Sequence, residues 1–299
     1  MIETNMKQPG RGSAASPAMP MIFALLVAVF LTAVNAEAIN VEKGRLYVVG
    51  MGPAGPDLTA PRALSVVSKA DVYLCSPGLP ARFEWFSEYI DPEKVAFDPW
   101  EPFMGSHARQ LKQQDYEAWQ VHTEKHRKKI QDFVLEQIEN GKTVVMMDGG
   151  DPIMYAPSLH HLLKGFDDDL FEVIPGMGSF NAAGAALKTT FTPDGVRFVM
   201  LTSPRSLFGE NWEKDDDILK DLSKYETTMV WYMSLRSIDK VVSRMRNHYS
   251  PDFPIAVVYY AGYPDREKVL KSSLGKILED VRKMEESWLG LFIAGEAAR

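Results

Sequence analysis

Two short stretches concentrate residues that can do chemistry. MMDGGDPIMYAPS (146–158) ends an apolar run in Asp148-Gly149-Gly150-Asp151-Pro152. VIPGMGSFNAAGAA (173–186) ends another in a Pro-Gly-x-Gly-Ser turn ahead of an alanine-rich segment. In open α/β sheets, ligands sit outside the carboxyl ends of the strands. Glycines there let a ligand approach the main chain, and two carboxylates can receive ammonium or hydroxyl donors. Two such turns at equivalent strand ends are expected to line one crevice. A third turn, GMGPAG (50–55), follows LYVV and spells Gly-x-Gly-x-x-Gly, the pattern that lays a nucleotide pyrophosphate on a helix N-terminus. Its context argues against that use. Pro53 and Pro56 each remove an N–H from the turn. The nearest acid, Asp71, opens the strand ADVYLC instead of following it, so no carboxylate stands ready for a ribose. The favoured reading is a tight strand-to-helix turn in which glycines supply unusual backbone angles.

Histidine and cysteine offer less. His122 and His126 share a helix face at i, i+4, a spacing that can hold a metal, but no third ligand is evident and a structural pair is expected. The adjacent His160 and His161 follow the Asp-Gly-Gly-Asp turn and diverge on a helix, so one at most would point toward a ligand. Cys75, the single cysteine, ends an apolar strand and is expected in the core. No metal site is expected.

The elements that must position these turns alternate. RLYVVG, DVYLC, KTVVMMD and FEVI read as strands. Between them TAPRALSVVSKA, with Thr59 as candidate N-cap, residues 108–140, and PSLHHLLKGF read as helices, and SFNAAGAALK follows as another. TTFTPDG (189–195) has the composition of a linker. After it RFVMLTS, TTMVWYM, IAVVYYA and WLGLFIAG read as strands, separated by the helical WEKDDDILKDLSKY, SIDKVVSRMRNHY and LGKILEDVRKM. This alternation predicts an α/β sheet in each half, with domains over 39–192 and 193–299.

The chain has 299 residues, a formal net charge of −7 and no long basic run, so nucleic-acid binding is not expected. KHRKK (125–129) reads as a solvated helix face. The N-terminus carries a polar stretch with Lys7 and Arg11, then the apolar MIFALLVAVFLTAV (21–34), then NAEA, the three-part pattern of a secretory signal. Residues 1–38 are therefore expected to be a signal peptide or a signal anchor in the membrane, which implies an exported, periplasmic or membrane-anchored protein; a cytoplasmic location is the alternative.

In this order, GMGPAGPDL, ADVY, GDPIMYA, PGMGSFNAAGAALKTTFT, WYM, PIAVVYYAGYPDREKVLKSSL and the closing Gly295-Glu296 resemble the tetrapyrrole methylase family, the S-adenosylmethionine-dependent corrin and porphyrin C-methyltransferases. The resemblance spans about residues 45–296. It implies two α/β/α domains with S-adenosylmethionine in the cleft between them. It implies cofactor contacts from Pro53, from Gly149, Gly150, Asp151 and Met154, from Gly178 and Ser179, from Met233 against the adenine, and from Ala261. A homodimer is also implied. The chemistry would be attack of an electron-rich ring carbon on the sulfonium methyl, so no catalytic side chain is assigned. Arg62, Arg109 and Lys188 are candidates to meet the carboxylates of a tetrapyrrole substrate. The pattern departs from the family at Ala54, Gly55 and Ala156, and Ser76 stands where related enzymes carry an acid. About twenty residues around DPWEPFMGSHARQLKQQDYEAWQVH are extra. The leader suggests an alternative, an exported non-catalytic protein that binds or carries a tetrapyrrole on the same fold.

Overall fold

The computed structural model describes residues 41–75, 84–156, 158–284, 286 and 289–299. The expected leader, with its apolar run 21–34, and Ser76 lie outside the described residues. Among the described residues no helix is long and apolar enough to cross a membrane. Val41–Arg299 form one compact unit built on two sheets.

The first sheet takes β1 (Arg45–Gly50), β2 (Val72–Cys75), β3 (Val95–Phe97), β4 (Thr143–Asp148) and β5 (Phe171–Ile174) in the order β3-β2-β4-β1-β5. Every pairing in it is parallel. A parallel sheet is covered on both faces, so its strands read as continuous apolar runs. Successive side chains still go to opposite layers. Tyr47, Val49, Val145 and Met147 pack with Ala63, Val66 and Val67 of α1 (Pro61–Ser68). Leu46, Val48, Val144 and Met146 pack on the other face. There they meet the helical layer made of α2 (Glu101–Met104), α3 (Ser106–Gln114) and α4 (Tyr116–Glu139), through Phe103, Ile130, Val134 and Ile138.

The expected single helix over 108–140 is broken. Asp115 leaves the helical conformation and its carboxylate accepts from the Ala118 N–H at 2.9 Å, capping α4 and ending α3. Thr59 is not an N-cap. Ala60 holds that place, and the Thr59 hydroxyl donates to the Met51 and Gly55 carbonyls at 2.7 and 3.2 Å, closing the glycine turn onto itself. The helix expected at PSLHHLLKGF is reduced to one π-helical turn, Ser158–Leu162.

The small-residue helix α5 (Ser179–Leu187) comes next, then β6 (Phe198–Thr202), α6 (Pro204–Phe208), α7 (Asp217–Leu222), β7 (Thr227–Trp231), α8 (Ile238–Met245), β8 (Pro254–Tyr259), β9 (Lys268–Ser273), α9 (Ile277–Arg282) and β10 (Gly290–Ala294). The second sheet runs β6-β7-β10-β8-β9. Only its β6–β7 pairing is parallel; β10 lies antiparallel to β7 and β8, and β9 antiparallel to β8. Strand β9 is not expected from the sequence: at the sheet edge three of its six residues are exposed and none is fully buried, so it lacks the apolar run that marks the buried strands. One face of the second sheet packs on α8 and α9 through Ile238, Val241, Val242, Met245 and Ile277. The other receives Ala182, Ala183 and Leu187 of α5 against Val230, Ala256, Val258 and Ile293. A helix that follows the first sheet thus lies on the second, and its alanines allow the close approach.

Candidate active site

The three glycine turns touch one another main chain to main chain. Gly52 and Gly150 form a two-residue antiparallel bridge, with N–H···O distances of 3.1 and 2.7 Å, and the Met51 N–H donates to the Asp148 carbonyl at 2.9 Å. Gly176 fits between Gly50 and Gly150 so closely that a Cβ on it would lie 2.2 Å from the Gly150 carbonyl oxygen and 2.8 Å from the Gly50 carbonyl. These contacts explain the Gly-x-Gly-x-x-Gly pattern. The motif's end meets only the one-turn helix Pro56–Leu58, so no long helix N-terminus faces the turn, as a pyrophosphate would require.

Above the joined turns, the carboxyl ends of β1, β4, β7 and β8 and the start of β10 border a cavity of about 270 Å³. Its walls are Pro53, Gly149 and Gly150 from the first sheet, Ser179 at the start of α5, and Tyr232, Met233, Tyr260 and Ala261 at the ends of β7 and β8. The lining is mainly apolar, as small-molecule sites are. A Cβ on Gly150, whose φ is +81°, would meet nothing within 4 Å, so the main chain there borders open space. The Tyr232 hydroxyl is buried without a well-formed hydrogen bond, a polar atom left for a ligand. A folded cofactor with both apolar and polar parts fits this donor set.

A second cavity of about 630 Å³ adjoins the first, with Met233 in the wall of both. Tyr155 lines the second and packs at a tilt, ring centroids 4.9 Å apart, against Tyr232, which lines the first. His160, His161, Arg205 and Glu210 supply its polar surface, and Met104 of α2 comes from the extra segment near residue 100. Glu210 accepts from Lys112 of α3 at 2.9 and 3.2 Å and from Arg205 at 3.2 Å. The Lys112 hydrogen bond, aided by Arg205, holds the Glu210 carboxyl below its ordinary range. The extra segment is thereby tied across to the second half of the chain.

Backbone strain marks the same place. The described non-glycine residues with positive φ are Tyr155 (57°), Lys188 (55°), Trp212 (62°), Met233 (53°) and Tyr260 (48°). Lys188 ends α5 in the left-handed conformation. The other four all line one or both cavities. Each costs on the order of 1–3 kcal/mol, and such residues gather where function holds them in place.

The sequence profile of the family described as Tetrapyrrole (Corrin/Porphyrin) Methylases matches residues 45–278, most of the chain. The chain belongs to the tetrapyrrole methylase family. It is 28% identical over 256 residues to a cobalt-precorrin-4 C(11)-methyltransferase of Methanocaldococcus jannaschii, covering 84% of this chain and 87% of that protein. It is 30% identical over 243 residues to the enzyme of the same name from Priestia megaterium, covering 80% and 82%. Among solved structures, a cobalt precorrin-4 methyltransferase superposes with a TM-score of 0.66 at 26% identity, over 87% of this chain and 99% of that one. A Thermus thermophilus uroporphyrin-III C-methyltransferase solved with S-adenosylhomocysteine shares the fold, with a TM-score of 0.55 at 21% identity over 85% and 98%.

In this tetrapyrrole methylase, Pro53, Gly149, Gly150, Ser179, Met233 and Ala261 are brought together around the first cavity. Asp151, Met154 and Gly178 stand one step back from its lining. The Asp151 carboxylate turns onto the Ile153 N–H at 3.2 Å, Met154 packs against the core beside α5, and Gly178 precedes the first turn of α5. The cations expected to meet substrate do not reach either cavity. Arg62 pairs with Glu172 on the surface, Arg109 donates to the Met104 carbonyl at 2.6 Å, and Lys188 caps α5. Arg205 lines the second cavity instead. It was missed because it sits in the short helix α6, itself unexpected, behind a Ser203 cap that follows β6. His122 faces the Pro102 carbonyl at 3.1 Å and packs at a tilt against His126, ring centroids 4.4 Å apart. Among the described residues no cluster of three or more metal-binding side chains occurs. Cys75 is buried, and burial pushes its thiol up to about 11.

Proposed function

We propose that this protein transfers a methyl group from S-adenosylmethionine to a ring carbon of a tetrapyrrole of the cobalt-precorrin-4 kind. The first cavity holds the methyl donor and the second holds the ring. The observation that carries the reading is the shared wall: Met233 borders both cavities, so a donor in one and an acceptor in the other meet across it. The methyltransferases named above support the enzyme over a non-catalytic carrier.

The residues present suit these tasks. Gly149 and Gly150 offer main-chain groups to the polar part of the donor, and Ser179 and Tyr232 add hydroxyls. Pro53, Met233 and Ala261 offer apolar surface. Bound there, S-adenosylmethionine supplies an electrophilic methyl group. The chain's part is to hold donor and acceptor in line, which alone can account for much of an acceleration. In the second cavity Arg205 meets the acceptor's carboxylates, Lys112 holds the neighbouring Glu210, and Tyr155 lines the wall beside the ring plane.

Isothermal titration with S-adenosylhomocysteine tests the donor site: saturable one-to-one binding is expected, and absence of heat and of any thermal shift removes the reading. Transfer of labelled methyl to cobalt-precorrin-4, against uroporphyrinogen III as the competing acceptor, tests the substrate.

We also propose halves spanning 39–192 and 193–299, export or anchoring through residues 21–34, and a homodimer. The apolar run and the small residues after it support the leader. Mass spectrometry of the mature N-terminus and light scattering of the purified protein test the last two.

A further inference from the structure

His160 and His161 lie on the wall of the second cavity. Their rings pack edge to face at 4.7 Å. Neither imidazole has a hydrogen-bond partner among the described residues, while the backbone beneath them is held from three sides. The Arg127 guanidinium donates to the His161 carbonyl, and the Gln131 amide donates to the Leu162 and Lys164 carbonyls at 2.8 and 3.2 Å. At the start of the turn the Ser158 hydroxyl donates to the buried Asp148 carboxylate at the end of β4. The turn itself is π-helical, a rare conformation found mostly at functional sites. A rigid backbone that presents an unpartnered side chain to a cavity is how a ligand-binding group is held ready.

The surroundings select the uncharged imidazole. Burial lowers the proton affinity of His161 first, and His160, Arg127, Arg205 and Lys112 lower it further. Neutral imidazole is the form that binds metals. Among the described residues no three side chains converge to hold a free ion. A metal already held by four nitrogens of a macrocycle needs no such cluster: one axial imidazole suffices, as in haem proteins. His161 is more enclosed than the exposed His160, so it loses less freedom on coordination.

We propose that His161 is the axial ligand to the metal of a metallated tetrapyrrole seated in the second cavity. This rests on the acceptor reading above. The imidazole lone pair fills one axial position, with no proton or electron transferred, and the bond fixes the height and tilt of the ring beside Met233. It also gives the site a reason to prefer a metallated over a metal-free acceptor.

The test uses cobalt(II) uroporphyrin III as probe, bound anaerobically to the full chain and read by electron paramagnetic resonance. The wild type and His160→Ala are expected to show nitrogen splitting from one axial imidazole on the cobalt lines. His161→Ala is expected to bind the probe, judged by the shift of its absorption band, and to lose that splitting; His161→Gln serves if the alanine variant folds poorly. Splitting that persists in the His161 variants, or is absent from a wild-type complex that does bind, overturns the proposal and leaves the acceptor site standing. A wild type that binds S-adenosylhomocysteine but not the probe overturns the acceptor site and the proposal with it.

Discussion

Gly176→Ala tests the main-chain contact on which the site is built. Gly176 is not in a left-handed conformation, so alanine carries no backbone penalty there. Its cost is steric. The added methyl would sit 2.2 Å from the Gly150 oxygen and 2.8 Å from the Gly50 carbonyl, all backbone atoms that cannot rotate away. Relief requires one turn to move by about 1 Å, and overpacking of this kind costs typically about 1–3 kcal/mol. Because the neighbours are backbone, the upper end is expected. For a chain of this size that lowers the melting temperature by roughly 5 °C. The turn that moves is the one whose Gly150 lines the first cavity, so S-adenosylhomocysteine affinity should fall by about tenfold or more, which corresponds to about 1.4 kcal/mol. Gly165→Ala is the control. Gly165 has φ +77° and nothing within 4 Å of a built Cβ. It should lose about 1–2 kcal/mol through its backbone angle and keep full affinity. Urea unfolding and calorimetry read both variants. A Gly176→Ala protein as stable as the wild type, with unchanged affinity, would refute the packing argument.

Further outcomes follow from the electrostatics of the site. Asp148 is 4% exposed, and burial, opposed by the Ser158 hydroxyl, pushes its carboxyl up to about 6. The folded state therefore holds a proton that the unfolded state has released near 3.8, so stability is lost as pH rises from about 4 to about 6, by on the order of 3 kcal/mol. Asp148→Asn should flatten that slope in urea titrations run at stepped pH, and a slope that survives would remove the assignment. Cys75, buried with a raised thiol, should resist iodoacetamide in the native protein and react once unfolded; rapid native labelling would contradict its place in the core. Glu210 competes with acceptor carboxylates for Lys112 and Arg205. Glu210→Gln should lower the KM for the acceptor, leave S-adenosylhomocysteine affinity unchanged, and alter stability by only about 1 kcal/mol, since the Glu210 carboxylate is about half exposed. A raised KM would show that Glu210 holds the cations for the acceptor instead.

Much of the architecture was legible in the sequence because burial writes itself into composition. Strands β1, β4, β7, β8 and β10 are apolar along nearly their whole length, and each was visible as a run. Strand β9 was not, since an exposed edge carries no such run. Helix ends were read less well where a polar side chain had two uses. Thr59 was as good a cap as any by type, yet its hydroxyl serves the Met51 and Gly55 carbonyls. The glycine turns were legible as turns, and their failure as a nucleotide loop followed from Pro53, Pro56 and the misplaced Asp71.

By itself the sequence determined the alternation of elements, the turns at the strand ends and the family to which their order belongs, because each depends on residues near one another in the chain. Only the tertiary structure decided which turns meet. Gly50, Gly150 and Gly176 are separated by long stretches of chain, and their contact depends on the strand order β4-β1-β5, which no local pattern encodes. The same holds for the positive φ of Tyr155, Trp212, Met233 and Tyr260: side chains that disfavour the left-handed conformation adopt it because the surrounding packing leaves no other path. Arg205 and His161 reached the second cavity for this reason too, carried there by a short helix capped by Ser203 and a π turn held by Arg127 and Gln131.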